Sequence, residues 1–524
     1  MVSIIYLSPV ANLFLKFRKF KDFLSWVKKY KNTSDKAVKA NINQDISKIK
    51  NEFFGSFRTP AGEKLDRALA KLSNAGQVDL FKETNIDELR VLRKKAEEAR
   101  EAFNKSKDDP VFKDSMEWRI EFPEVLDENG DFTGWDIVIA NPPYIFARNQ
   151  SFDEYTKGYY LSHYTVDEYQ ANTYTLFMEL GYNLLKAGGT FAYIVPNNML
   201  TIQSNQKIRN FLISKTGQLE IINSMDKLFT DANVDNCLVF FKKEKPTDIT
   251  VGELDHGEYN TIGTVDRGFF GDKNPIFSIS MVKYRDAIGA YKKVQSNSSI
   301  SDTGIAIVKS GIKAYEVGKG KPKMSKADKD NRIYHSKKKI DDTYLPYLDG
   351  ENVNRYLLTW NGEYVKYGPN LAAMRDPALF KGPRILVRQI PEKSTYSIDA
   401  TFTDEIIIND LNSMIITNIQ GIPILALLGI VNSKLITLWF LMKFDKFQRR
   451  LFPQFKVNEL AQFPIPPLND KDKVEAIAEL VKVIMDKKKK QEDVDEENNR
   501  VDELVMDLFK LSEADKQSIR NFTF

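Results

Sequence analysis

Gly134-Trp-Asp-Ile-Val-Ile-Ala-Asn-Pro-Pro-Tyr144 is the stretch on which the fold turns. Trp135 to Ala140 is a short apolar run with the β-branched content of a buried strand, and an Asn129-Gly130 turn precedes it. The run stops at Asn141-Pro142-Pro143-Tyr144, because prolines remove the N–H groups that a sheet ladder needs. Ligands of α/β sheets bind in the crevice beyond the carboxyl ends of the strands, which makes this tetrapeptide a candidate catalytic site by position. Its chemistry is also legible. An exocyclic amine conjugated to a ring is a poor nucleophile. If the Asn141 amide oxygen and the Pro142 carbonyl each accept one of its N–H bonds, electron density shifts onto nitrogen and the group is held for in-line attack. Pro142 and Pro143 stiffen the backbone that aims these acceptors, and Tyr144 can stack on a planar base drawn out of a duplex. The plain alternative is a Pro-rich turn after a strand, against which the preceding strand, led by Asp136, weighs.

Working outward, Tyr174 to Leu185 has helical spacing of apolar residues, with Gly188-Gly189 as a stop signal. Phe191 to Val195 reads as a second buried strand, Ile208 to Ser214 as helix, and Leu219 to Ile222 and Cys237 to Phe241 as further strands. Strand alternating with helix predicts a parallel or mixed α/β sheet. Ser34 to Ser106 is rich in lysine and glutamate at helical spacing and predicts a helical hairpin or insertion. Beyond Lys245 the chain becomes turn-rich and aromatic-rich. At its end Val474, Ile477, Val481 and Ile484, then Val501, Leu504, Val505 and Leu508, predict amphipathic helices, and Ser512 with Asp515 offers a capping box. The expected divisions are 1–110, a basic helical segment; 111–245, the domain bearing the tetrapeptide; 246–467, a mixed domain; and 468–524, C-terminal helices.

At 524 residues the chain is long enough for several domains, and its 28% charged and 42% apolar residues are ordinary for a globular protein. The single cysteine, Cys237, excludes an intrachain disulfide and a Cys-rich zinc site, and fits a reducing cytoplasmic location. His163, His256 and His335 are too scattered for a sequence-local imidazole metal site, so no metal is expected. The net charge of +4 says little, but residues 1–50 carry eleven Lys/Arg against three Asp/Glu, and residues 301–340 eleven against four. Either surplus can follow a phosphate backbone or be a solvated face. Pro423 to Met442 is about as long as a membrane span, but Asn432, Ser433 and Lys434 at its centre favour a buried helix or helix pair.

The sequence resembles the Eco57I-like and TaqI-like adenine-specific DNA methyltransferases of restriction–modification systems. The likeness rests on Trp118-Arg-Ile-Glu-Phe-Pro-Glu-Val125, on Gly134 to Tyr144, and on Leu184-Leu-Lys-Ala-Gly-Gly-Thr-Phe-Ala-Tyr-Ile-Val-Pro196. It implies an α/β fold: a partial class I (Rossmann-like) methyltransferase sheet with a helical N-terminal insertion, then a mixed α/β target-recognition domain and C-terminal helices. It also implies N6 methylation of a flipped adenine in double-stranded DNA, with S-adenosylmethionine as methyl donor. Asn141, Pro142, Pro143 and Tyr144 would then be catalytic, and Tyr144 and Phe229 would pack on the base. Leu427 to Lys434 and Phe452 to Pro466 resemble signatures of the recognition domain. Lys434, Lys443, Lys446, Arg449, Arg450 and Lys456 are the expected DNA-binding residues.

The family places a Gly-rich cofactor loop and an acidic residue before the tetrapeptide. Upstream of Asn141 the glycines are Gly55, Gly62, Gly76, Gly130 and Gly134, none in a GxG turn, so the cofactor-binding residues are not visible. The expectation is a chain that begins after the cofactor half, with a separate polypeptide carrying the cofactor-binding or nuclease part. The competing readings are a catalytically silent DNA-recognition subunit and a protein glutamine methyltransferase.

Overall fold

The computed structural model describes residues 20–55, 64–65, 67–72, 86–107, 118, 122–127, 132–145, 154–166, 172–230, 234–271, 274–448 and 453–524. The chain is mixed α/β with several sheets, and it divides into two compact units. The first gathers residues 1–195, 210–219 and 239–247; the second gathers 196–209, 220–238 and 248–524.

In the first unit, helices α1 (Phe20–Asn32) and α2 (Lys36–Gly55) pack together, and α3 spans Ile86–Lys107. The Lys31 ammonium donates to Glu124 at 2.6 Å. Trp118 and Phe122 stack at 5.5 Å, and Phe122 meets the Trp135 ring edge-on at 5.3 Å, which anchors the start of strand β1 (Trp135–Ala140). Helix α4 (Glu154–His163) and helix α5 (Thr173–Leu184) follow. α5 buries Tyr174, Leu176, Met178, Leu180 and Leu184, and Gly181 leaves room for the Phe191 ring, which a Cβ would approach to 2.6 Å.

Strand β2 runs from Leu185 to Pro196 with no break after α5. The double glycine is therefore not a helix stop but part of β2. The Gly188 N–H donates to the Lys243 carbonyl at 2.9 Å and the Lys243 N–H returns a bond to Gly189 at 3.0 Å, so ladder bonds hold the glycines in the strand. β1 and β2 are parallel, with Ile137 opposite Thr190 and Ala140 opposite Tyr193, and a register shift separates Trp135 from Ile137. Gly134 turns the chain into β1 at φ +88°, where a Cβ would lie 2.4 Å from the Lys186 nitrogen.

Helix α6 (Gln206–Lys215) leads to strands β3 (Gly217–Ser224), β4 (Asn236–Lys242), β5 (Ile249–Asp255) and β6 (Glu258–Val265), in the sheet order β1-β2-β4-β3-β5-β6. Among the described strands β1 thus lies at the sheet edge, and Ile137 and Ile139 are 64% and 77% exposed. The expectation of a buried strand is corrected here. β-Branched composition reports that a segment is a strand, whereas burial depends on what pairs with its second edge and covers its faces. β5 and β6 form an antiparallel hairpin whose turn residues, His256 and Gly257, both have positive φ, the geometry of a primed hairpin turn.

In the second unit, one sheet contains β7 (Ile307–Ser310), another begins with β8 (His335–Ser336), and a short helix, α7 (Lys326–Asp330), lies between them in sequence. Strands β9 (Tyr344–Leu348), β10 (Tyr364–Lys366), β11 (Arg384–Arg388), β12 (Ala400–Thr403), β13 (Ile408–Asn409) and β14 (Ser413–Thr417) complete the two sheets, ordered β13-β9-β10-β8 and β12-β11-β14-β7. They enclose a core of Ile312, Leu348, Val353, Val365, Phe380, Leu386 and Ile415.

The apolar run after Pro423 forms two buried helices, α8 (Ile424–Val431) and α9 (Lys434–Phe444), bent by 55°. Among the described residues no single helix is long and apolar enough to cross a membrane. The polar residues at the bend have structural partners: the Asn432 amide bonds both the N–H and the carbonyl of Ala400, and Ser433 caps α9. Helices α10 (Lys471–Lys489), α11 (Asp495–Leu508) and α12 (Glu513–Arg520) close the unit, with Val474, Ile477, Val481 and Ile484 buried and the Ser512 hydroxyl accepting from the Asp515 N–H at 3.2 Å.

Candidate functional site

The tetrapeptide begins where β1 ends, and the side chain of Thr173, the first residue of α5, holds it. The Thr173 hydroxyl donates to the Pro143 carbonyl at 2.5 Å and accepts from the Ile145 N–H at 3.0 Å, while the Thr173 N–H donates to the Ile145 carbonyl at 3.0 Å. The Tyr144 hydroxyl donates to the Ile194 carbonyl on β2 at 3.0 Å, and its ring meets Tyr174 edge-on at 6.2 Å. Pro142 is buried and Asn141 is exposed. Among the described residues neither the Asn141 amide nor the Pro142 carbonyl has a hydrogen-bond partner, and the backbone beside them is clamped.

At the foot of β1, the Asp136 carboxylate pairs with Lys186, which holds its carboxyl below the ordinary value. Phe229, the other expected base-packing residue, is half-buried in the segment after β3 and belongs to the second unit.

The expected DNA-binding residues have diverse surroundings. Lys446 is buried and its ammonium donates to Glu459 at 2.6 Å, so its charge is already neutralised. Lys434 donates to the Arg520 carbonyl at 2.8 Å, and Lys443 is half-buried; burial lowers both ammonium groups below their ordinary values. Lys456 is exposed and donates to Gln454 at 2.9 Å. Arg449 and Arg450 lie outside the described residues.

Sequence reasoning missed Thr173, whose signal was its place at a helix start, and the lock around Asp445 and Gln448. Asp445, in the left-handed region at φ 41°, is fully buried and accepts from the Ser278 hydroxyl, the Ser280 N–H and hydroxyl, and the Gln448 amide. Burial raises its carboxyl, and these donors oppose that shift. The Gln448 carbonyl accepts from Asn197 at 2.9 Å and Asn223 at 3.0 Å, residues that follow β2 and end β3. The segment thus joins elements more than two hundred residues apart in sequence. Asp226, Asp255 and His256 lie close enough to share an ion, but both Asp226 oxygens already accept from the His256 and Gly257 N–H groups at 2.8 Å.

Residues 10–229 match the Eco57I restriction-modification methylase family, and residues 345–465 match the TaqI-like C-terminal specificity domain. The chain is 24% identical over 387 residues to RM.MjaORFECS2P of Methanocaldococcus jannaschii, of the type II restriction enzyme and methyltransferase kind, covering 70% of this chain and 30% of that relative. It is 24% identical over 127 residues to the type II restriction enzyme and methyltransferase RM.Eco57I of Escherichia coli, covering 23% and 12%. It therefore spans under a third of the length of these relatives. Among solved structures, the type IIL restriction-modification enzyme MmeI in complex with DNA is similar at 12% identity and TM-score 0.49, covering 97% of this chain and 76% of that one. Residues 10–229 are thus similar to the Eco57I restriction-modification methylases, and residues 345–465 to the TaqI-like C-terminal specificity domains.

Proposed function

We propose that this chain supplies the target-amine and DNA-recognition parts of an adenine-N6 DNA methyltransferase of a restriction–modification system. The observation that carries this is the pair of unengaged acceptors at Asn141 and Pro142 on a backbone fixed by Thr173 and β2. Two acceptors set side by side take both N–H bonds of an exocyclic amine, orient its nitrogen lone pair and exclude water from it. Tyr144, tethered by its hydroxyl, is the candidate for packing on the extruded base. Double-stranded DNA is the partner, in keeping with the region matched to a specificity domain.

S-adenosylmethionine, a sulfonium methyl donor, is the cofactor of this reading, but the described residues do not fit it. β1 is the first strand among them and an edge strand, and no GxG turn precedes Asn141 in the sequence. On this reading the donor is held by residues outside the described set, of this chain or of a separate polypeptide. The same observation favours a second reading, a DNA-recognition subunit without transfer activity of its own.

Calorimetry with S-adenosylmethionine and transfer of a labelled methyl group to mixed-sequence duplex DNA separate the two. Incorporation at adenine, alone or with a co-expressed partner, supports the first reading. Duplex binding with neither cofactor binding nor incorporation under both conditions supports the second. Methylation of protein glutamine, with none in DNA, would overturn both.

A further inference from the structure

Residues 313–332 of the second unit lie ahead of the region matched to the specificity domain, and the reading of the site leaves them without a role. Lys319, Lys321, Lys323, Lys326 and Lys329 are all exposed there. The loop that carries them is built rather than loose. The Gly318 N–H donates to the Met324 carbonyl at 2.9 Å, the Met324 N–H to the Lys319 carbonyl at 2.8 Å, and the Lys321 N–H to the Pro369 carbonyl at 2.8 Å. Met324 is only 3% exposed and plugs the loop into the unit beneath. Gly320, at φ +83°, lies so close to Asn370 that a Cβ would come within 2.4 Å of its carbonyl oxygen. The Gly318-Lys-Gly320 sequence therefore turns the chain and seats it.

The acids near these lysines are largely committed. Glu316 accepts from Lys313 at 2.6 Å, and Asp328 closes the capping box of α7 with the Ser325 N–H at 2.8 Å. Among the described residues none of the five lysines has a carboxylate within ion-pair distance. Lys319 and Lys329 act with Lys313 to hold the Glu316 carboxyl below its ordinary value, so lysines ten positions apart face one locality. From Lys313 to Asp330 the count is six lysines against Glu316, Asp328 and Asp330, a surplus of three.

We propose that the loop from Gly318 to Lys329 is a preformed grip for the phosphate backbone of duplex DNA, supplying sequence-independent affinity beside the base-reading domain. The proposal rests on the DNA-binding reading above and assigns it a surface. Lysine ammonium groups are point charges without a planar fork, suited to phosphates and poor at discriminating bases. Neutralising a phosphate releases condensed counterions, which favours a regular polyanion. A seated loop loses little conformational freedom when it docks, unlike a mobile lysine tail.

The test uses the full chain, a fluorescent mixed-sequence duplex and a salt series. Replacing Lys319, Lys321, Lys323, Lys326 and Lys329 by Gln should weaken binding and flatten the slope of log affinity against log salt. At about 0.9 per lost phosphate contact, the flattening is roughly 2.7 to 4.5 if three to five lysines engage. Replacing the same residues by Arg should keep the slope. A control variant with Lys482 and Lys489 of α10 and Lys490 just after it replaced by Gln should match the unaltered chain. An unchanged slope in the loop variant, with its melting temperature preserved, overturns the grip and leaves the DNA reading standing. Equal flattening in the control overturns it in favour of a diffuse field. Loss of binding to phosphatidylserine vesicles with duplex binding intact assigns the loop to a lipid surface instead. An unaltered chain that binds no duplex at any salt sinks the functional reading itself.

Discussion

Asn141 presents an exposed amide at the end of a strand, and the adjoining backbone is held through the one hydroxyl of Thr173. Replacing Asn141 by Ala should abolish methyl transfer in the competent complex and leave duplex affinity nearly unchanged; substantial residual transfer would count against its role. Thr173 is a positioning residue. Thr173→Val removes the donor to Pro143 and the acceptor for Ile145, each loss worth ~1–3 kcal/mol where the partner stays buried. The melting temperature should fall, transfer should fall with it, and Thr173→Ser should restore both. Failure of the serine variant to restore transfer would assign Thr173 to packing alone. Asn141 to Tyr144 was legible because the motif is contiguous. Thr173 was not, because its partners lie 28 and 30 positions away and a threonine opening a helix is common.

Elements impose their own constraints, and Gly181 in α5 shows which one prevails. In an open helix, Gly→Ala gains ~1 kcal/mol of propensity. Here the new Cβ would sit 2.6 Å from Phe191, whose ring is stacked on Phe241 at 4.2 Å and has nowhere to move. Overpacking costs ~1–3 kcal/mol, so Gly181→Ala should lower the denaturant midpoint, and an increase would refute the tight α5–β2 contact. The amphipathic face of α10 was readable in the sequence because a helix repeats its buried residues locally. The path of β2 was not. Gly188-Gly189 normally ends a helix, and only pairing with Lys243 draws it into a strand.

Stability belongs to the whole molecule, and buried carboxyls make it depend on pH. Burial, and then Asp349 beside it, push the Asp410 carboxyl up to about 8 from an ordinary 3.8. Between those values the unfolded chain releases a proton that the folded chain keeps, so stability is greatest below about pH 4 for this group and declines as pH rises toward 8. Asp399, pushed up to about 6 by burial, acts in the same direction over a narrower window. Denaturant midpoints across this range should fall with pH in the unaltered chain and fall less in Asp410→Asn; identical profiles would refute the assignment.

The division of the chain matters at the same scale. Residues 196–209 and 220–238 belong with the second unit, where the Phe277 N–H donates to Leu200 at 3.0 Å and the Met225 N–H to Leu254 at 2.8 Å. Truncation after Lys245 should therefore give insoluble chain; a soluble, monodisperse product in sedimentation would contradict that division.

The amino-acid sequence by itself determined the strand that ends in Asn141-Pro-Pro-Tyr144, the α/β alternation after it, the polar break at Asn432 and the apolar faces of the last helices. Each is written within a few neighbouring residues, in side-chain periodicity or in the lost N–H groups of proline. Tertiary structure alone decided that β1 lies at the edge of the described sheet, that Thr173 clamps the tetrapeptide, that Glu459 neutralises Lys446, and that the lysines of the Gly318 loop have no carboxylate within ion-pair distance among the described residues. These depend on which distant groups meet and which stay in water, and no local spacing of residues encodes such a meeting.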